Sequence, residues 1–228
     1  MTNLSAIVTS TVGRKILNGL TGMLLCIYIL VHMVANTLII FNPTVFNLYA
    51  HFLMSLGALL IVIEILLLAV FVLHAYTAIS VWWSKKKARP DKYAKVKNAG
   101  GASRKTLSSM TMIYGGVLMI AFLVWHVATM KYGHHTVFVH NGVEMHNLYH
   151  TVVEQFTQLW VVIFYEIIMI TVGFHLWHGF WSAFQSLGLN HPTYMPIIVA
   201  VGYVFAIVIA VGFLAVPPYI YFTGGVAL

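Results

Sequence analysis

Long apolar runs separated by short polar stretches dominate this chain of 228 residues. Five of the runs have the roughly 20 residues that a helix needs to cross the hydrocarbon core of a bilayer. The first is interrupted at Asn42-Pro43 and the last at Pro217-Pro218, since proline breaks a helix. The pattern therefore predicts an all-α membrane protein, with five transmembrane helices in a single membrane domain (1–228). The predicted helices cover residues 16–41, 52–83, 107–130, 152–186 and 194–216.

The composition supports this class of protein. Hydrophobic residues make up 61% of the chain and charged residues only 7%, and the mean hydropathy is +0.90, outside the range of soluble domains. The one cysteine, Cys26, excludes a disulfide framework, a cysteine-ligated iron–sulfur cluster and a covalently attached c-type haem. The N-terminus lacks a basic start followed by an apolar stretch, so we expect no cleaved signal peptide.

The formal net charge of +7 comes from two clusters of basic residues. Arg14 and Lys15 precede the first run, and a dense cluster follows the second run. The positive-inside rule then predicts a cytoplasmic N-terminus and an outer C-terminus, with Lys131 outside. Because this rule accounts for the distribution, we expect no nucleic-acid binding. The dense cluster contains Lys85, Lys86, Lys87, Arg89, Lys92, Lys95, Lys97, Arg104 and Lys105.

A weak internal repeat relates the first two runs to the next two. The tripeptide Asn-Leu-Tyr occurs at 47–49 and again at 147–149, before the second and fourth runs. Each of these runs then carries a glutamate followed by a histidine, Glu64 with His74 and Glu166 with His175. The repeat indicates a two-helix unit used twice with a fifth helix added. Chance similarity among apolar helices is the alternative.

Four histidines lie inside apolar runs, where an ionisable group is costly and points to function. His32 lies 16 residues into its run (32 − 16), about 24 Å along the helix axis, and His126 lies 19 residues into its run (126 − 107), about 28 Å. Both are expected in the outer half of the membrane. His74 and His175 lie 9 and 11 residues before the ends of their runs (83 − 74 and 186 − 175), which places them in the inner half.

Two pairs of histidines at matched depths indicate two haem groups. Two imidazoles that face each other across a helix bundle are the axial ligands of a six-coordinate haem b. We therefore predict one haem between His32 and His126 and another between His74 and His175, in a bundle of four of the five helices. Zinc or copper fits less well, because no carboxylate or thiolate shares these depths. A single intramembrane histidine can instead hydrogen-bond a neighbouring helix.

The remaining histidines are weaker candidates. His178 lies three residues after His175 on nearly the same helix face, so spacing alone allows either one to be the axial ligand. The others lie in or beside an outer loop, where we expect them to be solvated rather than to bind metal. They are His134, His135, His140, His146 and His150.

The segments around the four histidines resemble a known family. Leu30-Val-His-Met-Val-Ala-Asn36, Val72-Leu-His-Ala-Tyr76, Val124-Trp-His-Val127 and the string GFHLWHGFWSAFQSLG at 173–188 are similar to the di-haem cytochrome b558 subunit of bacterial succinate dehydrogenase and fumarate reductase. The resemblance covers nearly the whole chain. It implies haem pairing of the first helix with the third and of the second with the fourth. It also implies that His175 is the ligand, four residues before the Gly-aromatic-aromatic-Ser stretch.

The resemblance further implies partners and a substrate. In that family an iron–sulfur subunit docks on the cytoplasmic side of the bacterial cytoplasmic membrane and carries an FAD-containing flavoprotein that oxidises succinate. Electrons would pass through the inner and then the outer haem to a quinone, with menaquinone expected.

A quinone site needs hydrogen-bonding groups and a proton route near a haem. The favoured candidates lie at the outer mouth of the second run: Asn47, Tyr49 and His51.

A second set of candidates lies near the inner start of the first run, as an inner quinone site or as partners of the haem propionates: Arg14, Asn18 and Thr21. Glu64 and Glu166 either relay protons or stay protonated and hydrogen-bonded within the membrane.

Two other functions remain open from the sequence. The first is the di-haem anchor of a membrane hydrogenase or formate dehydrogenase, whose catalytic partner would dock outside. The second is a haem-free transporter that uses its intramembrane histidines for proton coupling.

Overall fold

The structure, a computed structural model, describes residues 10–88 and 106–225. These residues form seven α-helices and one two-stranded β-hairpin. Most of the basic cluster, from Arg89 to Lys105, lies outside the described residues. The elements are α1 (Thr11–Phe41), α2 (Pro43–Ser55), α3 (Ala58–Lys87), α4 (Leu107–Met130), β1 (Val137–His140), β2 (Val143–His146), α5 (Leu148–Phe156), α6 (Leu159–Ser186) and α7 (Met195–Thr223).

Five of the helices, α1, α3, α4, α6 and α7, are long and apolar enough to cross a membrane. They contain between 24 and 31 residues each. Large apolar side chains stay exposed along them, such as Ile27 (61%), Val124 (69%) and Val211 (60%). A helix that satisfies its own backbone hydrogen bonds can present such side chains to lipid. The prediction of an all-α membrane protein with five long apolar helices is confirmed.

The second and fourth apolar runs are each divided into a short helix and a long one. Gly57 has φ of +55°, a left-handed conformation that ends α2, so the long helix begins at Ala58 and not at residue 52. Likewise α5 ends at Phe156 and α6 begins at Leu159, not at residue 152. The break at Gly57 falls inside mainly apolar sequence, whereas the break after Phe156 falls at the polar dipeptide Thr157-Gln158, so the predicted bounds of both helices were too long.

The last helix runs past the two prolines that were predicted to end it. Pro217 and Pro218 lie inside α7, which continues to Thr223. Each proline removes one backbone N–H donor, but membrane helices tolerate proline where neighbouring groups satisfy the freed carbonyls. The predicted end at residue 216 was therefore too early.

The outer loop contains a β-hairpin that was not predicted. Asn141 (φ 52°) and Gly142 (φ 77°) form the turn, and the strands pair in antiparallel register from Val137 opposite His146 to His140 opposite Val143. Two consecutive positive φ angles define a type I′ turn, for which Asn-Gly is the favoured sequence. The Asn141-Gly142 dipeptide was therefore the sequence signal for this hairpin.

The chain divides into two compact units, and each long helix contributes one end to each of them. The first unit comprises the described parts of Met1–Ile27, Leu67–Val117 and Phe174–Ala206, and its core includes Trp181 and Val199. The second unit comprises the described parts of Tyr28–Leu66, Leu118–Gly173 and Ile207–Leu228. Fully buried aliphatic side chains in the second unit include Ile39, Ile168, Ile209 and Ile220.

Candidate functional site

Each unit contains one of the predicted histidine pairs. In the first unit, α3 carries His74 and α6 carries His175. Their ring centroids are 6.3 Å apart, and the ring planes are inclined at 66°. Two histidines that are 101 positions apart in sequence (175 − 74) therefore face each other across a helix interface.

Polar groups of α1 fix the orientation of His74. Its Nδ1 lies 3.3 Å from the backbone carbonyl oxygen of Asn18 and 3.3 Å from the hydroxyl oxygen of Thr21. The Thr21 hydroxyl donates its own hydrogen to the carbonyl of Leu17 (2.7 Å), so its oxygen is available as an acceptor. These contacts favour the tautomer that carries its proton on Nδ1 and leaves the lone pair on Nε2. Asn18 and Thr21 were predicted to contact an inner quinone or the haem propionates. In the structure they contact His74, a predicted axial ligand of a haem.

The Asn18 side chain also connects α1 to α3 by hydrogen bonds. Its amide group donates to the backbone carbonyl of His74 (3.0 Å) and to the hydroxyl of Thr77 (3.2 Å), which is completely buried. Gly22 lies beside the ring: a Cβ at this position would be 3.2 Å from Cε1 of His74. A larger residue would therefore crowd the imidazole.

The two adjacent histidines of α6 have different surroundings. His175 faces His74, whereas the ring of His178 packs edge-on against Trp181, with centroids 4.7 Å apart. Both imidazoles keep a buried Nδ1 that has no hydrogen-bond partner. A buried polar atom without a partner is costly, but His175 and His178 share this feature, so the position opposite His74 is what distinguishes His175.

The second unit contains the other pair. His32 of α1 and His126 of α4 have ring centroids 6.0 Å apart, with planes at 88°. The Nδ1 of His126 lies 3.0 Å from the phenol oxygen of Tyr165 on α6. Tyr165 was not identified from the sequence. Its signal was a phenol within an apolar run, where a hydroxyl needs a hydrogen-bond partner.

Aromatic rings surround this second pair. Tyr28 stacks on His32 with centroids 5.5 Å apart, and Phe122 stacks on His126 at 5.3 Å. Phe213 of α7 lies 5.9 Å from His32. These rings suit a large apolar cofactor, while the polar groups of Asn36 and Thr129 donate to the backbone carbonyls of His32 and His126.

The ring separations fit a metal held between each pair. An imidazole nitrogen lies about 2 Å from a metal that it binds, and the ring centre is roughly 1 Å farther away. Two imidazoles on opposite sides of one iron thus have centres about 6 Å apart. The observed 6.3 Å and 6.0 Å agree with this spacing. A donor set of two imidazoles per site fits the axial ligands of a haem b better than the three protein ligands typical of a zinc enzyme.

The predicted outer quinone site needs a correction at Asn47. This residue is completely buried. Its amide group donates to Oδ1 of Asn147 (2.9 Å), and its Oδ1 accepts from the backbone N–H of Tyr149 (2.9 Å). Asn47 therefore connects α2 to the start of α5 and is not accessible to a quinone. Tyr49 and His51 lie on the same short helix and are half-buried.

The contact between Asn47 and Asn147 also joins the two Asn-Leu-Tyr motifs of the internal repeat. The short helices α2 and α5 that contain or follow these motifs precede α3 and α6, the two helices that carry His74 and His175. The matching order of elements favours a repeated unit over chance similarity.

Arg14 was the other candidate near the inner start of the first run. Its guanidinium donates to the hydroxyl of Ser80 (2.5 Å) and to that of Ser84 (3.3 Å), both on α3. The structure therefore places Arg14 in the first unit with Asn18 and Thr21, on the end of α1 that approaches α3.

The two intramembrane glutamates differ from each other. Glu64 forms an ion pair with Lys131, which directly follows α4. Glu166 keeps a buried carboxyl oxygen, Oε1, without a hydrogen-bond partner. The ion pair gives Glu64 a structural role, and Glu166 has no assigned partner among the described residues.

Two of the loop histidines lie together rather than separately in solvent. The rings of His135 and His146 have centroids 3.8 Å apart, and Nε2 of His135 donates to the backbone carbonyl of Lys131 at 3.0 Å. Burial and the neighbouring His135 lower the pKa of His146 below its usual value.

Within residues 10–88 and 106–225, no group of three or more His, Cys, Asp or Glu side chains could hold a metal ion. A pair is fewer than the three protein ligands typical of zinc enzymes.

No protein-family model, curated protein or solved structure matches this chain. Support for a function therefore comes from the two histidine pairs, their surroundings and the resemblance of the segments that carry them.

Proposed function

We propose that the chain is the di-haem cytochrome b membrane-anchor subunit of a succinate:quinone oxidoreductase. One observation carries the proposal: each unit holds two histidines from different helices with ring centroids about 6 Å apart, the spacing of axial ligands on one iron. The same four histidines lie in the segments that resemble the cytochrome b558 family. Geometry and resemblance thus select the same residues.

His32 and His126 would hold one haem b, and His74 and His175 the other. When bound, the two haems would supply one-electron transfer between an iron–sulfur partner and a quinone. The choice of His175 over His178 is supported by its position opposite His74, since His178 packs on Trp181 instead.

The residues around the ligands prepare them for metal binding. The backbone carbonyl of Asn18 lies 3.3 Å from Nδ1 of His74 and can only accept, which favours a proton on Nδ1 and leaves the Nε2 lone pair for the iron. With Nε2 of His126 bound to iron, its Nδ1 would donate to the Tyr165 oxygen 3.0 Å away. The aromatic rings of Tyr28 and Phe122 exclude water beside the second pair.

The partners follow from the proposed class of protein. We place the N-terminus and the basic cluster that begins at Lys85 on the cytoplasmic side of a bacterial cytoplasmic membrane, and the C-terminus outside. An iron–sulfur subunit and an FAD-containing flavoprotein would dock on the cytoplasmic side. Menaquinone is the proposed electron acceptor, with Tyr49 and His51 as the remaining candidates for its outer hydrogen-bond partners.

Co-purification tests the proposal directly. An affinity-tagged chain extracted from its native membranes in mild detergent is expected to bring down a flavoprotein and an iron–sulfur protein, identified by mass spectrometry. The untagged strain is the control. Recovery of a hydrogenase or formate dehydrogenase catalytic subunit instead would favour the alternative anchor. A reduced-minus-oxidised spectrum of the same sample without any b-type α-band would favour the haem-free transporter.

A further inference from the structure

The two histidine pairs differ in what holds their ligands. The Nδ1 of His74 faces a backbone carbonyl and a threonine hydroxyl, whereas the Nδ1 of His126 faces the phenol of Tyr165 at 3.0 Å. We propose that Tyr165 is a positioning residue that orients His126 and lowers the reduction potential of the haem held by His32 and His126 alone. This inference rests on the proposed function.

Packing fixes the phenol in place. Tyr165 is 5% exposed. Its ring meets Phe156 at 4.8 Å and Phe122 at 5.1 Å, in both cases nearly perpendicular to the neighbouring ring, and Trp125 at 5.6 Å. Rings on several sides restrict rotation about the side-chain bonds, so the hydroxyl group stays directed at His126. A rigidly held acceptor positions a ligand more accurately than a mobile one.

The chemistry of imidazole gives the direction of the effect. When Nε2 donates its lone pair to a metal, Nδ1 carries the ring proton and is a hydrogen-bond donor. The Tyr165 oxygen accepts this hydrogen bond, which fixes the orientation of the ring and makes the ligand more basic. A more basic ligand stabilises the oxidised iron more than the reduced iron. The contact therefore lowers the potential.

Redox titration of the Tyr165→Phe variant tests this inference. The variant removes the phenol oxygen and keeps the ring, so the packing against Phe156 and Phe122 is preserved. We expect the reduction equilibrium of the haem held by His32 and His126 to shift about tenfold toward the reduced form. This shift raises its reduction potential by about 59 mV for one electron. The other haem should be unchanged. The measurement is an optical redox titration of the purified complex, with the two haems resolved by their low-spin electron paramagnetic resonance signals.

Tyr203→Phe is the matched control. Tyr203 lies in the first unit, and its ring stacks on Trp177, with centroids 4.0 Å apart, rather than on one of the four proposed haem ligands. Loss of its hydroxyl should leave both potentials unchanged. A shift of equal size in this control would assign the effect to general loosening of the bundle and overturn the role of Tyr165.

The remaining outcomes separate this inference from the proposed function. Two haems with unchanged potentials in Tyr165→Phe would overturn the role of Tyr165 and leave the di-haem proposal intact. A wild-type complex without haem would overturn the di-haem proposal itself. If Tyr165→Phe retains only one haem, nitrogen NMR of ring-labelled histidines in the haem-free chain decides. A changed ring signal of His126 supports the contact, and an unchanged one contradicts it.

Discussion

The two histidine pairs are alike in spacing and unlike in surroundings. The ring centroids are 6.3 Å apart in the first unit and 6.0 Å apart in the second. Around His74 the contacts are hydrogen bonds from α1, whereas around His32 and His126 they are mainly aromatic rings. The comparison shows that one ligand spacing is built with two kinds of support. Removal of the hydrogen bonds from α1 should therefore affect the first pair, and changes at the surrounding aromatic residues, including the Tyr165 hydroxyl, should affect the second.

The difference extends to the neighbouring charges. The first unit places Arg14 beside Ser80 and Ser84, and the second unit contains the ion pair between Glu64 and Lys131. One unit thus contains an arginine bound to serine hydroxyls and the other an ion pair of opposite charges, which are different electrostatic settings. The two proposed haems should accordingly have different potentials, since net charge near a haem is one of the factors that set its potential.

The largest expected effect comes from removal of single ligands. His74→Ala should remove the haem of the first pair and His126→Ala that of the second, and each variant should keep the other haem. The reason is that the two pairs lie in separate compact units. The haem content of purified variants is the measurement.

The matched control for ligand removal is His178→Ala, which should retain both haems because His178 packs on Trp181 and not opposite His74. Loss of a haem in His178→Ala, together with retention of both in His175→Ala, would reverse the assignment of the ligand on α6.

An intermediate effect is expected at Asn47. Asn47→Ala removes the hydrogen bond from the backbone N–H of Tyr149 and the one to Oδ1 of Asn147, which still accepts from the N–H of His150. Loss of the partner of a buried backbone N–H costs about 1–3 kcal/mol of unfolding free energy. Thermal unfolding in detergent should show the loss, while the haem between His74 and His175 remains.

Gln158→Ala is the comparison variant for Asn47. Gln158 is exposed, and its side chain accepts a hydrogen bond from the exposed side chain of Trp160, so its replacement should have little effect. Equal unfolding temperatures for the two variants would show that the contact between Asn47 and Asn147 does not stabilise the second unit.

The smallest effect is expected from Thr21→Val. This variant keeps the shape of the side chain and removes one acceptor for Nδ1 of His74, while the Asn18 carbonyl stays at 3.3 Å. Because one acceptor remains, the shift in the potential of the first haem should be smaller than the shift that Tyr165→Phe causes at the second. A larger shift from Thr21→Val would contradict the proposed difference in support.

The sequence predicted the class of fold and the pairing of the histidines, because hydrophobic length and residue depth are properties of one chain segment at a time. The predicted bounds 107–130 agree with α4. The break at Gly57 lies within mainly apolar sequence and was missed, and the break after Phe156 was missed although the polar residues Thr157 and Gln158 mark it. The roles of Asn47 and Tyr165 were also missed. Each depends on a partner far away in the sequence, at Asn147 and His126. A phenol within an apolar run indicates that Tyr165 needs a hydrogen-bond partner, but a single sequence does not identify that partner.

The number of haems per chain tests the central claim most directly. The complex should be purified in mild detergent, and its haem b should be quantified by the pyridine haemochrome assay against the amount of this chain. The paired histidines predict two haems b per chain in the wild type and one in either His74→Ala or His126→Ala. A wild-type chain with no haem, or with one haem that survives both substitutions, would contradict the account.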